Sequence, residues 1–458
     1  MNCMQTLKIL TLGALAMFSR YDAGGGCVAN FSPSASDMGA DMGATLQVTP
    51  TRISVTAGAV LQLDGGPGRA GQSVKLKQGA LEVTLGVLDG QGHLQRTLSS
   101  AELTTLALGP AQVTDGAGGQ AVVRFFIEPR LDNAPAPFAV GPVSKAGPTP
   151  VWVGIAQKKI LTLNLRDATG TGLIRQSVGE YLFDKSAMLV VSLVQNYKSY
   201  SSPTFPGNYS DEGSKFQYTS TGISLTRSSF YLAEYDATGP QAAFVNCPLD
   251  AGCNGMLTAR PFSRITSMCA ALDGTLFAAI ITASGAPAGL KVFRDGTLGA
   301  AVDLMGASTA FPHETMLGAG KLNDDDQPDL IALTPAGAVT IWVGGPGPLV
   351  ASDSLTAAVQ QGLSALGIAA PSALGVGDLD GDGLDDLVVA SNAQVVTLLN
   401  QGDGHFSGSA GPTAPAGLAP VTALAIGDVS VSGRGIPDLV LASKDQHSIG
   451  AIESSATY

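Results

Sequence analysis

The turn Gly377–Leu387, GDLDGDGLDDL, places Asp378, Asp380, Asp382 and Asp386 at positions 1, 3, 5 and 9 of one short loop. Gly381 and Gly383 permit a tight bend there, and the carbonyl of Leu384, at position 7, is free to point inward with the side chains. Carboxylates held this close repel one another at neutral pH unless a cation neutralises them. No sulfur or imidazole stands in the loop, and a hard, flexible oxygen set of this kind suits Ca²⁺. The D-x-D-x-D-G opening is shared with the helix-loop-helix calcium motif. That motif needs a bidentate Glu at position 12, which here is Val389 inside an apolar run, so the helix-loop-helix reading fails.

The loop lies among short Val, Ile, Leu and Thr runs broken by Gly, Asp, Asn and Pro, and no long stretch shows a helical period. An all-β chain is expected, with one candidate helix over 354–366. Leu276, Leu330, Leu387 and Leu439 stand 54, 57 and 52 residues apart in matching contexts, and a weaker copy at Phe230 lies 46 residues upstream of Leu276. Each clear copy runs strand, Gly/Asp turn, very apolar strand, third strand. Unalternated runs such as DLVVA and DLVLA indicate burial on both faces. Units of this length, with four strands each, predict a β-propeller. The chain stops after the third strand of the last copy, so an upstream segment is expected to supply the fourth strand and close the ring.

Asp378–Leu387, with the VVA and VVTLLNQGDGHF that follow, resembles the FG-GAP (VCBS-type) repeat, the calcium-loop blade of integrin α-chain propellers and of many exported bacterial proteins. The resemblance spans roughly residues 215–458 and implies Ca²⁺ held by Asp378, Asp380, Asp382, Asp386 and the Leu384 carbonyl. Neighbouring copies depart from it. KLNDDDQPDL keeps Asn323, Asp325, Gln327 and Asp329 as weaker ligands but has Lys321 at the opening position, as a weak site or a built-in counter-ion. DVSVSGRGIPDL keeps Asp428, Ser430 and Asp438, is two residues longer and carries Arg434. The copy ALDGTLF retains only Asp273 and is expected to bind nothing.

Upstream, residues 46–140 show strands at sandwich spacing, and Thr114–Phe125 (TDGAGGQAVVRF) resembles the signature near the end of bacterial immunoglobulin-like adhesin repeats. Residues 141–214 read either as a second sandwich or as a first blade. The expected class is therefore all-β, a propeller of FG-GAP-type blades over 215–458 preceded by one or two immunoglobulin-like β-sandwich domains. From residue 215 there is room for four or five blades; a seven-bladed ring would absorb the stretch assigned to sandwiches. Residues 1–27 begin with Lys8 and the apolar core Ile9–Phe18, the pattern of an export signal. AGGGC ending at Cys27 resembles a bacterial lipoprotein signal, which implies lipidation of Cys27. The polar stretch 28–45 would then be a tether. An exported protein, secreted or held at the cell envelope, is expected.

Cys247 and Cys253 are spaced for a disulfide across a hairpin turn. Cys269, in TSMCAAL, reads as a buried inert thiol, and no His stands at zinc-ligand spacing from a cysteine pair.

The chain has 58 glycines, 14% charged residues and a formal charge of −12. Its 45% hydrophobic content excludes a disordered chain, and the negative charge argues against nucleic acid. That charge is concentrated. Residues 1–300 hold 22 Lys and Arg against 20 Asp and Glu; residues 301–458 hold 3 against 17, of which 15 are Asp. Enzyme signatures such as G-x-S-x-G, H-E-x-x-H and the P-loop are absent. The contexts of His93, His313, His405 and His447 suggest no base, and Trp152 and Trp342 lie in strand runs and read as core. A monomeric interaction or adhesion module for a protein or glycan is expected, reaching a membrane only through a lipid anchor. The alternative is a secreted polysaccharide lyase or hydrolase, or a lectin, on the same scaffold.

Overall fold

Unalternated apolar runs become strands that are buried on both faces. In a computed structural model, Asp329–Leu333, Asp386–Ser391 and Asp438–Ser443 are buried along almost their whole length. Each is the second strand of a four-stranded antiparallel sheet. The structure describes residues 19–21, 27–29, 45–129, 131, 137–139, 149–156, 159–167, 174–184, 189–194, 223–225, 229–235, 242–248, 257–260, 264–271, 276–282, 289–294, 301–303, 311–312, 315–429 and 437–454.

The described residues form two compact units. The first takes in the described residues up to Thr51, with Val60–Leu98 and Ala111–Val123. It carries most of two sheets. One orders Gln47–Thr49, Ala59–Asp64 and His93–Leu98; the other orders Gln120–Phe126, Gly109–Asp115, Ser73–Gln78 and Leu81–Val87. Leu61, Leu63, Val74, Leu76 and Val113 are buried, which fits strands with one face in a core and one in water.

The second unit comprises Arg52–Ala59, Ser99–Pro110 and Arg124–Tyr458. It contains six four-stranded sheets, here called blades 1 to 6, which make it a β-propeller. Blade 1 runs from Thr149–Ala156 to Leu189–Val194, blade 2 from Ile223–Leu225 to Leu257–Arg260, and blade 3 from Arg264–Ala270 to Ala301–Asp303. Blade 4 runs from Met316–Gly320 to Val350–Ala351, and blade 5 from Ala373–Gly377 to Phe406–Ala410. Blade 6 consists of Ala423–Gly427, Asp438–Ser443 and Ser448–Ile452. Its fourth strand is Phe138–Ala139, which pairs Phe138 with Ile449 and Ala139 with Ser448. An upstream segment thus completes the last sheet, as the missing strand required.

The first strand of each blade packs on the first strand of the next, and that of blade 6 packs on that of blade 1. A shared core of Val153, Ile160 and Tyr181 from blade 1 with Val440, Ala442 and Ile449 from blade 6 seals the junction. The Phe230, Leu276, Leu330, Leu387 and Leu439 copies are the second strands of blades 2 to 6. Residues 149–194, open between sandwich and blade in sequence, have the same strand order as the other blades. The segment Asp353–Ala365 is the expected helix, lying between blades 4 and 5. It buries Leu355, Val359 and Leu363 at helical spacing against Ile341, Leu387 and Leu398.

Three cysteine expectations fall differently. Cys253 lies outside the described residues, as does residue range 1–18, so neither the disulfide nor the export core is addressed. Cys27 lies in a short strand whose side chains are not described. Cys269 is a free thiol, buried in the core shared by blades 3 and 4, where burial pushes its pKa up. Trp342 is in the same core, edge-on to Phe311 with ring centroids 6.4 Å apart.

Candidate metal centre

The loop from Asp378 to Asp386 joins the first two strands of blade 5. Gly381 and Gly383 adopt φ of 81° and 87°, the left-handed region that a side chain disfavours. The turn folds back on itself through its own carboxylates. Asp378 accepts the N–H groups of Gly381 at 2.7 Å and Gly383 at 2.9 Å. Asp380 Oδ1 accepts the Asp382 N–H at 3.1 Å, and Asp382 Oδ1 accepts the Leu384 N–H at 2.8 Å.

These bonds gather Asp378, Asp380 and Asp382 so that one oxygen from each lies within 4.8 Å of the others. Ca²⁺ binds oxygens at about 2.3–2.6 Å, so ligands on its opposite sides stand about 5 Å apart. The spacing fits a calcium-sized ion, and an all-oxygen set is the chemistry that ion takes. Asp380 and Asp382 are fully buried. Burial, and then the charge of Asp380, lift the Asp378 carboxyl to about 7. Asp380 is raised by burial and by Asp382. A bound dication would remove the strain that these shifts report.

Asp386 stands elsewhere in the site. Its Oδ2 accepts the Leu379 N–H at 2.8 Å and its Oδ1 the Asn400 N–H at 2.7 Å, so it clamps the start of the loop to the end of the third strand. Burial, then Asp380, pushes its pKa well up. The same clamp recurs in the weaker copies. Asp329 accepts from Leu322 and Gly344, each at 2.7 Å, and Asp438 accepts from Val429 and Ser454, each at 3.0 Å. Burial lifts both carboxyls to about 6.

In the blade 4 loop, Asn323 and Asp325 bond to each other, and the Gln327 N–H donates to Asp325 Oδ1 at 2.8 Å. Lys321 reaches Asp326 of the same loop at 3.3 Å. In the blade 6 loop, Ser430 and Arg434 lie outside the described residues, as does Asp273 of blade 3. Leu384 is buried beside the cluster.

Several residues of this centre carry no sequence signal. Asp385 accepts the Lys321 N–H at 2.6 Å and returns its own N–H to the Lys321 carbonyl at 2.7 Å, tying the loops of blades 4 and 5 together. Asn400 donates to the carbonyls of Leu322 and Asp385. Arg52 and Arg124, both in the propeller unit, are opposite each other in a parallel strand pair. Arg52 donates to Asp380 Oδ2 and, at 2.9 Å, to Asp382 Oδ2. Arg124 donates to the Asp382 carbonyl at 2.9 Å and pairs with Asp324 of the blade 4 loop. The Ile127 N–H donates to the Asp380 carbonyl at 3.0 Å. Leu108 and Pro110 press on Gly381 and Gly383, where a Cβ would come within 2.6 and 3.0 Å of them.

Beside the two loops is a cavity of about 540 Å³, lined among others by Lys321, Gln327, Asp378, Asp385, Val376 and Ile426. It sits where the first strands of blades 4 to 6 end.

Fold and loop together define a β-propeller with an aspartate-lined loop in its fifth blade. The family model described as "FG-GAP-like repeat" matches residues 378–441, from that loop to the second strand of blade 6. No curated protein matches the chain. Among solved structures, the chain is similar to AofleA from Arthrobotrys oligospora at 8% identity and a TM-score of 0.36, covering 67% of this chain and 81% of that one. It is similar to the Cps50 (Swd1) β-propeller domain of Myceliophteria thermophila at 11% identity and a TM-score of 0.35, covering 71% and 99%. A subtype N11 neuraminidase-like protein of influenza A/flat-faced bat/Peru/033/2010 aligns at 10% identity with a TM-score of 0.30, covering 71% and 95%.

Proposed function

We propose that this is an exported, calcium-binding β-propeller that serves as an interaction or adhesion module for a protein or glycan, attached to the cell surface through Cys27. The observation that carries the calcium reading is the gathering of Asp378, Asp380 and Asp382, two of them fully buried, around a point of calcium-sized spacing. The FG-GAP resemblance adds the Leu384 carbonyl and Asp386 to that set, and Asn323, Asp325 and Gln327 would make a weaker second loop, with Asp386 and Asp329 acting first as clamps on backbone N–H groups. All these groups belong to local turns between the first two strands of their blades. An ion so placed would fix the turn and the loops around it. The reading is therefore structural calcium.

The N-terminal strand orders support an immunoglobulin-like stalk. Gln120–Phe126 lies beside Gly109–Asp115, followed by Ser73–Gln78, as the G, F and C strands of such a sandwich would.

The test is binding of the exported protein to glycan and surface-protein arrays in calcium and in chelator. Calcium-dependent retention of a ligand, without new reducing or unsaturated sugar ends, is the expected result. Release of such ends from a bound polysaccharide would establish the enzyme reading instead.

A further inference from the structure

The oxygens of the loop divide into two sets. Asp380 Oδ1 and Asp382 Oδ1 accept N–H groups of the loop itself and shape the turn. Asp380 Oδ2 and Asp382 Oδ2 take no backbone donor among the described residues. Both are engaged by one side chain, Arg52, whose Nη2 meets Asp380 Oδ2 while its Nε meets Asp382 Oδ2. The Arg52 side chain is only 9% exposed and both carboxylates are 0% exposed, so bulk water does not screen this fork. The Phe126 ring holds the guanidinium from another side, with Cζ 4.3 Å from its centroid. Arg124, opposite Arg52, bonds to the Asp382 carbonyl and to Asp324, and acts on the triad's carboxylates through its charge rather than through a hydrogen bond.

We infer that Arg52 is a tethered counter-ion that competes with the metal for Asp380 and Asp382, so that the loop alternates between an arginine-closed and a calcium-filled state and Arg52 sets the calcium affinity. This rests on the calcium reading given above. The physical reason is exclusion. A guanidinium and a dication cannot both occupy the ion-facing side of the same two oxygens, and each leaves the other's charge uncompensated in a buried site. Closure by Arg52 keeps the metal-free loop folded, and calcium entry requires the side chain to swing away.

Arg52→Gln and Arg52→Lys test the inference in the full chain, by calcium titration calorimetry and by melting temperature in calcium and in chelator. Removing a competitor should tighten calcium binding by about tenfold or more, a coupling of ordinary size between two linked ligands. Arg52→Gln should also melt lower than the native chain in chelator, with most of that loss recovered in calcium. Arg52→Lys keeps a point charge without the planar fork and should fall between the two. Calcium affinity equal to or weaker than native in both variants would overturn the inference and make Arg52 a support for the ligands rather than a competitor. Absence of calcium binding in the native chain and both variants would overturn the calcium reading itself, and this inference with it. If Arg52→Gln does not fold, Arg52→Lys decides alone.

Discussion

Asp329 makes the sharpest case for separating a structural clamp from a metal ligand. Its carboxylate is fully buried and accepts the N–H groups of Leu322 and Gly344, each at 2.7 Å. Leaving a buried donor unsatisfied costs about 1–3 kcal/mol, so Asp329→Ala should lose roughly 2–6 kcal/mol and Asp329→Asn, which keeps one acceptor, about half as much. Charge modifies this. Burial raises the carboxyl from 3.8 to about 6 in the folded protein. The folded state then holds its proton more tightly than the unfolded state, so the native residue loses stability as pH rises from about 4 through about 6. At ~1.36 kcal/mol per pKa unit, linkage between those two pKa values makes native Asp329 about 2 kcal/mol less favourable at pH 8 than at pH 4.5. Both variants escape that loss. Urea unfolding of the chelated proteins, followed through Trp342 in the same sheet, should show Asp329→Asn clearly destabilised at pH 4.5 and close to native at pH 8. Asp329→Ala should be the worse of the two at either pH. An alanine variant no worse than asparagine, or a native-to-asparagine gap that ignores pH, would refute the clamp.

Two further outcomes follow from the propeller unit. A Cβ at Gly375 would come within 2.2 Å of Leu424 Cδ1 on the neighbouring blade, so Gly375→Val should cost about 1–3 kcal/mol of overpacking and lower the melting temperature with or without calcium. Because burial, and then Asp380, lift the Asp378 carboxyl to about 7, calcium binding should displace part of a proton at neutral pH and more below it. Apparent affinity should therefore fall up to about tenfold per pH unit below that value for each proton displaced. Calorimetry in buffers of different ionisation enthalpy counts the protons directly.

Much of the blade pattern was legible because its cause is local. A strand buried on both faces must be apolar throughout, and Asp329–Leu333, Asp386–Ser391 and Asp438–Ser443 announce themselves that way. The missing strand of blade 6 was legible by counting. Blade 1 was not, since no aspartate turn of the kind that marks the later copies joins its first two strands, Thr149–Ala156 and Lys159–Asp167. The gathering of Asp378, Asp380 and Asp382 in one loop was readable from residue type and spacing. What those could not tell is which oxygens accept backbone N–H groups, as both oxygens of Asp329 and of Asp438 do. Arg52 and Arg124 lie 328 and 258 residues from their partners Asp380 and Asp382. Nothing in the spacing of either arginine points across that distance. The charge balance concealed them too, because a near-neutral first 300 residues gave no hint that two of its cations serve the acidic end of the chain.

The most direct test of the calcium centre is the melting temperature of the chelated chain before and after millimolar Ca²⁺, with Asp382→Ala measured alongside. Selective binding to the folded state raises the transition by mass action. The expected result is a clear upward shift in the native chain that Asp382→Ala largely abolishes. An unchanged melting temperature in the native chain, or an equal shift in Asp382→Ala, would contradict calcium binding at Asp378, Asp380 and Asp382.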